Sequence, residues 1–186
     1  MFLSNSTLII QVNNLGSTDN LKDHYFFEEY NSQSQSRKFY SINFYSDDKD
    51  SGEIHYTESF ENGNMNLINF LRKGDFFYLF TSSIQHTKFF KKILVSMCSG
   101  EDLSFDIIKL SQHNKNLPLL NINNFKVLEA DGVFGVKGIL SFEKENYLIK
   151  IYTNGIITFS LTNNRELVEE VIATSLNIIS KYEDFQ

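Results

Sequence analysis

The sequence predicts an α+β protein built on an antiparallel sheet, and two observations carry that prediction. Residues 147–182 read as a hairpin and then a helix: Tyr-Leu-Ile-Lys-Ile-Tyr, a Thr-Asn-Gly turn, Ile-Ile-Thr-Phe-Ser-Leu, and a long amphipathic run. The same unit occurs 92 positions earlier, where Phe60-Glu61-Asn62-Gly63 matches Tyr152-Thr153-Asn154-Gly155. Asn-Gly takes the positive φ values of a tight hairpin turn, and β-branched or aromatic residues flank both copies. A repeat at half the chain length implies two related halves, residues 1–100 and 101–186, within one structural domain.

Taken in order, residues 7–12 are a short strand, closed by Asn13-Asn14-Leu15-Gly16. Asp19 and Asn20 then cap a helix over residues 21–30, with Leu21, Tyr25 and Phe26 sharing a face. Residues 31–36 are a polar loop, 37–45 an alternating strand, and 46–52 an acidic turn. The first hairpin spans 53–60 and 64–71, and Asp75 to Thr81 adds another strand. Ser82 and Gln85 cap a helix over residues 83–97, with Ile84, Phe90, Ile93, Leu94 and Met97 turned inward; Ser99-Gly100 ends it. In the second half, 103–110 is a strand, 112–124 has no clear pattern, 133–142 is a strand and 143–146 a turn. The helix over residues 165–182 starts from Asn163, with Glu166 completing a capping box. Its stripe is Leu167, Val168, Val171, Ile172, Leu176, Ile179 and Tyr182.

Composition narrows the function classes. A chain of 186 residues that is 41% hydrophobic can bury an ordinary core. Its single cysteine, Cys98, excludes an intramolecular disulfide, fits a reducing compartment and is expected to be buried. The first residues lack a signal-peptide pattern and no apolar run reaches membrane-spanning length, so a soluble intracellular protein with no membrane partner is expected. A net charge of −6 opposes nonspecific attraction to nucleic acid. His24, His55, His86 and His113 do not stand at metal-ligand spacing, and no nucleophile-elbow, zinc-protease or phosphate-loop motif occurs. Neither an enzyme nor a cofactor is therefore expected. Gly132, Gly135 and Gly138 lack the strand-to-helix context of a phosphate loop and are expected to permit a turn and close backbone approach. Lys88, Lys91 and Lys92 are expected to form a solvated helix face.

With these elements in place, the chain resembles the TATA-box-binding protein (TBP) family. The resemblance is carried by residues 147–182, Asn14-Leu15-Gly16, Leu21-Lys22, Glu29-Tyr30-Asn31, Arg37-Lys38-Phe39, Phe60-Glu61-Asn62-Gly63-Asn64-Met65 and Leu117-Pro118-Leu119. It covers most of the chain, and the order and spacing of these short motifs carry its specificity. It implies a saddle of two pseudo-symmetric repeats forming one curved antiparallel sheet, with the helices on the convex face. It further implies a divergent transcription initiation factor that binds and bends AT-rich promoter DNA through the minor groove. The implied partners are an initiation factor of the TFIIB type and the RNA polymerase machinery, in the nucleus or the cytoplasmic factory of a large DNA virus.

By the same resemblance, two aromatic pairs, Phe39 with Phe60 and Phe134 with Tyr152, would wedge between base steps. Apolar wedges of this kind unstack a step and let the bent duplex contact more protein. Arg37 and Lys38, with Lys137 and Lys150 as weaker candidates, would meet phosphates, and Ser160 stands where a small hydroxyl is expected. The chain departs from the family at several places: Leu8 and Asp106 replace groove-reading Asn residues, Asn64 and Ile156 replace lysines, and Leu161 replaces a glycine. These departures keep a second function open, a protein-interaction adaptor of the Mediator-head type on the same fold without DNA binding.

Overall fold

The computed structural model describes residues 3–16, 21–32, 36–60, 63–98, 102–110 and 121–183. The chain is α+β, with twelve strands and two helices among these residues. It divides into two compact units, one of residues Ile10–Asp106 and one of Met1–Ile9 with Ile107–Gln186. Strand β1 (Ser4–Asn13) gives its later residues to the first and its earlier residues to the second.

In the first unit, β2 (His24–Asn31), β3 (Ser36–Phe44), β4 (Ser51–Thr57), β5 (Asn66–Lys73) and β6 (Phe76–Leu79) form an antiparallel meander, with β1 beside β6. Helix α1 (His86–Met97) packs on one face of it. There Tyr56 and Phe89 stack at 3.8 Å, and Phe90 meets Phe77 at 4.9 Å. Tyr40, Ile42, Ile54, Ile68, Phe70 and Leu79 are buried with Ile93 and Leu94. Each such side chain contributes about 1.5–3 kcal/mol relative to exposure. β7 (Ser104–Ile107) follows, and Lys91 donates to the Phe105 carbonyl at 3.4 Å.

The second unit contains β8 (Asn121–Ile122), β9 (Phe125–Asp131), β10 (Gly135–Phe142), β11 (Glu145–Tyr152) and β12 (Ile156–Thr162) in another antiparallel meander. The beginning of β1 pairs with β12, Thr7 opposite Ile157. Helix α2 (Arg165–Glu183) follows β12. Leu167, Val168, Val171, Ile172, Ile179 and Tyr182 are buried as the stripe predicts; Leu176 is only half-buried, and Ile178 belongs to the buried set as well.

Several sequence expectations are corrected. The helix expected over 21–30 is strand β2, paired with β3 from His24 opposite Asn43 to Asn31 opposite Ser36. Eight rungs of pairing and a run of aromatic residues suited to a pleated surface outweigh the shared face of Leu21, Tyr25 and Phe26 that suggested a helix. The helix expected from residue 83 begins at His86; Gln85 caps it without a side-chain bond, and Ile84 is exposed rather than inward. β9 is a strand that the sequence left unassigned, because Phe-Lys-Val-Leu-Glu-Ala-Asp has no strong alternation and only Phe125 is deeply buried. β10 begins at Gly135, two residues later than expected, because Asp131 Oδ1 accepts bonds from the Val133 and Phe134 amides and holds them in a turn. Asn164, not Asn163, caps α2: its Oδ1 accepts from the Leu167 amide at 3.2 Å.

Other expectations agree with the structure. Gly155 has φ 91° in the turn between β11 and β12, and Gly63 has φ 68° before β5. Gly135 and Gly138 sit where an added Cβ would collide with the Ile151 carbonyl and with the Phe125 ring, the close approach expected of them. Cys98 is buried. Asp19, Asn20, Glu61, Asn62, Ser99, Gly100, His113 and the segment around Pro118 lie outside the described residues.

Two variants separate the caps. Asn164→Ala should lower stability by about 1 kcal/mol, the usual value of an N-cap, whereas Asn163→Ala should change it by less than about 0.5 kcal/mol. Urea unfolding of both would check the assignment.

Candidate nucleic-acid interface

Strand alternation decides which side chains can meet a ligand. In the first unit, α1 covers the face bearing Tyr40, Tyr56 and Phe77. Residues of opposite parity, Phe26, Arg37, Phe39, His55 and Asn69 among them, point to the other face. Phe39 opposes Glu28 and Thr57 in the ladders.

Phe39 and Phe60 come together there, with ring centroids 6.1 Å apart. The Arg37 guanidinium lies 5.4 Å above the Phe60 ring, a cation–π contact worth about 0.5–1 kcal/mol at an exposed site. Phe26, which sequence reasoning placed on a helix, adds a third ring 6.2 Å from Phe39. Its signal was available: Phe26, Glu28 and Tyr30 alternate with Tyr25, Phe27 and Glu29, the period of a strand. Arg37 also approaches Glu28 at 4.0 Å, both half exposed and so weakly coupled.

Lys38 does not join this set. Alternation sends it to the helix-covered side, where it is 3.8 Å from Glu58. Two of the three α1 lysines are also engaged rather than purely solvated. Lys92 bonds Glu29 at 2.5 Å and lies over the Tyr40 ring, and Lys91 lies over Phe105. Burial alone would lower the Lys92 pKa; its bond to Glu29 and the neighbouring Tyr40 and Glu29 raise it instead.

In the second unit, Ile149, Ile151, Ile157 and Phe159 are buried. The opposite face carries Lys137, Leu148, Lys150, Tyr152, Thr158 and Ser160. Phe134, three-quarters exposed, and Tyr152 line one cleft of about 250 Å³ with Lys137, Lys150, Glu129 and Asp131. Lys137 and Lys150 stand directly opposite each other in the ladder. Lys137 leans to Glu129 at 3.2 Å, while Lys150 has no ion pair among the described residues. Thr153 Oγ1 donates to the Val133 carbonyl at 3.0 Å and ties the Phe134 turn to the end of β11.

The positions that depart from the family have clear local roles. Leu8 is fully buried. Asp106 accepts a hydrogen bond from the Asn13 amide at 2.8 Å, so its carboxylate is already engaged.

A polar network occupies the exposed face of β3–β5. Tyr45 donates to Glu53 Oε2 at 2.7 Å, and His55 Nε2 lies 3.2 Å from Glu53 Oε1, off the direction of a good hydrogen bond. Burial would raise the Glu53 pKa, but the bond from Tyr45, the neighbouring His55 and a contribution from Asn43 hold it below the usual carboxyl range. Burial, and then the bond to Glu53 and its charge, push Tyr45 up to about 12. No group of three or more metal-ligating side chains occurs among the described residues.

The depressed Glu53 pKa adds stability that is complete above the ordinary carboxyl range and is lost as pH falls through the lowered value. The raised Tyr45 pKa adds stability that is complete below 10.0 and is lost as pH rises through about 12. Tyr45→Phe should therefore cost about 0.5 kcal/mol at neutral pH, with the deficit shrinking in acid. It should also move Glu53 toward an ordinary carboxyl titration, which carboxyl-carbon NMR would follow.

Comparison with known proteins returns no matching family model, no matching curated protein and no matching solved structure.

Proposed function

We propose that this chain is a divergent TATA-box-binding-like initiation factor that binds AT-rich promoter duplex in the minor groove and bends it. The observation that supports this reading best is the pair of exposed Phe60 and half-buried Phe39 on the helix-free sheet face, with Arg37 held over Phe60. Apolar wedges beside a cation are what unstacking a base step next to a phosphate requires.

Internal correspondence adds support. Each unit is an antiparallel meander followed by a helix, as two repeats of a saddle would be. β3 and β4 form one hairpin of the first meander, and β10 and β11 form one hairpin of the second. Phe39 lies in β3 and Phe60 just after β4; Phe134 lies just before β10 and Tyr152 ends β11. Gly63 and Gly155, both at positive φ, precede β5 and β12, the strands that follow these hairpins.

Among the described residues the strand cations on these faces are few: Arg37 and Lys73 in one unit, and Lys126, Lys137 and Lys150 in the other. With a net charge of −6, binding by the protein alone would be weak, and a basic partner of the TFIIB type would supply further phosphate contacts. The acidic Glu169 on the exposed side of α2 offers it complementary charge, although Arg165 already contacts that carboxylate at 2.7 Å. The same charge balance favours the second function, a Mediator-head-type adaptor that keeps the fold and binds protein in place of DNA.

The experiment is a fluorescence-transfer bending assay on an AT-rich duplex, over a salt series. The expected slope of log affinity against log salt is about −3, from roughly three phosphates at ~0.9 each. Phe39→Ala with Phe60→Ala should reduce the bend and weaken binding about tenfold or more while moving the melting midpoint little. A large loss of stability with unchanged bending would show the two rings to be core. No DNA binding with or without initiation factors, together with stable capture of a defined protein, would favour the adaptor.

A further inference from the structure

The exposed face of the first unit carries more aromatic surface than one wedge requires. His24, Phe26, Phe39 and Phe60 form a row, with successive ring centroids 5.8, 6.2 and 6.1 Å apart. Phe26 is 57% and Phe60 44% exposed, with Phe39 half-buried between them. Arg37 closes one end of the row above Phe60. The other end lies on β2, the last strand of that meander, so the row is open at the sheet edge.

We propose that this row is a stacking platform for unpaired bases, and that the first unit binds single-stranded DNA through it. The inference rests on the assignment of this face to nucleic acid. Ring spacing supplies the argument. Stacked bases in a duplex rise by about 3.4 Å each, so bases seated on successive rings here would be separated from one another. A duplex can open in this way at a single kinked step, but not at consecutive steps while its pairs stay intact. A single strand has that freedom. Every base offers a π-face, so an aromatic row accepts unpaired bases with little sequence preference. Arg37 adds a cation at the Phe60 end, partly offset by Glu28 at 4.0 Å. Stacking therefore supplies most of the binding, as suits an acidic protein.

Phe26 is the residue that separates this inference from the duplex reading, because it belongs to the added edge strand and not to either wedge pair. The test uses a fluorescein-labelled single strand of about 12 nucleotides, the same sequence as a duplex, and an abasic version of the strand. Phe26→Ala should weaken single-strand binding about tenfold or more, within the range seen when one stacking ring is lost. Duplex affinity and bending should fall by much less than single-strand affinity, because Phe39 and Phe60 remain, and the melting midpoint should stay unchanged because the ring is exposed. The abasic strand should bind as weakly as the variant does. Equal binding of the single strand by wild type and Phe26→Ala, or equal binding of abasic and intact strands, would overturn the inference. Duplex binding and bending without single-strand binding would overturn it alone, and absence of binding to either would overturn the broader function with it.

Discussion

The pairing of β3 with β2 and β4 determines which side of the sheet each aromatic ring occupies. Tyr40 faces Phe27 and Tyr56 across these ladders and lies under α1, while Phe39 faces Glu28 and Thr57 on the other side. Side chains alternate with a period of two, so a slip of one residue would bury Phe39 and expose Tyr40. The register holds because one face has an obligatory partner. Tyr56 on Phe89, Phe90 on Phe77 and the Tyr25 hydroxyl on Ser96 all anchor the sheet to α1. The exposed row is thus a by-product of a core that admits only one parity. Its chemistry can vary without disturbing the fold, the usual arrangement of a binding surface carried on a rigid element.

Legibility in the sequence followed how local each signal was. The hairpin around Gly155 and the stripe of α2 were plain because turn chemistry and helical period act over a few residues. β2 was misread because its aromatic residues satisfy a helical spacing as well as a strand alternation, and only pairing with β3 decides between them. β9 was invisible for a related reason: it is a strand because β10 pairs with it, not because of its own composition. The turn expected at 143–146 is present, with φ of 49° at Glu143 and 71° at Lys144, although it carries no glycine. Of the residues expected at a site, Phe39, Phe60 and Arg37 lie together. Lys38 was placed with them by adjacency alone, and adjacency in a strand puts neighbours on opposite faces.

Charge and ring chemistry pull this surface in different directions. Carboxylates at Glu28, Glu53, Glu129 and Asp131 share the exposed faces with only a few cations. Several are already occupied: Glu53 by Tyr45, Glu129 by Lys137, and Asp131 by the amides of its own turn. Engaged carboxylates repel a phosphate less than free ones, because part of their charge is met within the protein. The aromatic rings carry no net charge and keep their stacking capacity at any ionic strength. On such a surface, contact through ring faces is opposed less by the carboxylates than contact with a phosphate.

The pairing of β1 with β12 bears on how the chain is made. The strands of each meander meet neighbours a few residues away, so those ladders can close as soon as they leave the ribosome. The beginning of β1 is the exception, since Thr7 waits for Ile157. Joining ends so distant costs chain entropy and comes late in folding. Until then Ser4 to Leu8, mostly buried in the finished protein, present a row of unpaired backbone N–H and C=O groups. A nascent or truncated product lacking β12 would keep that edge open, and such an edge is a template for aggregation.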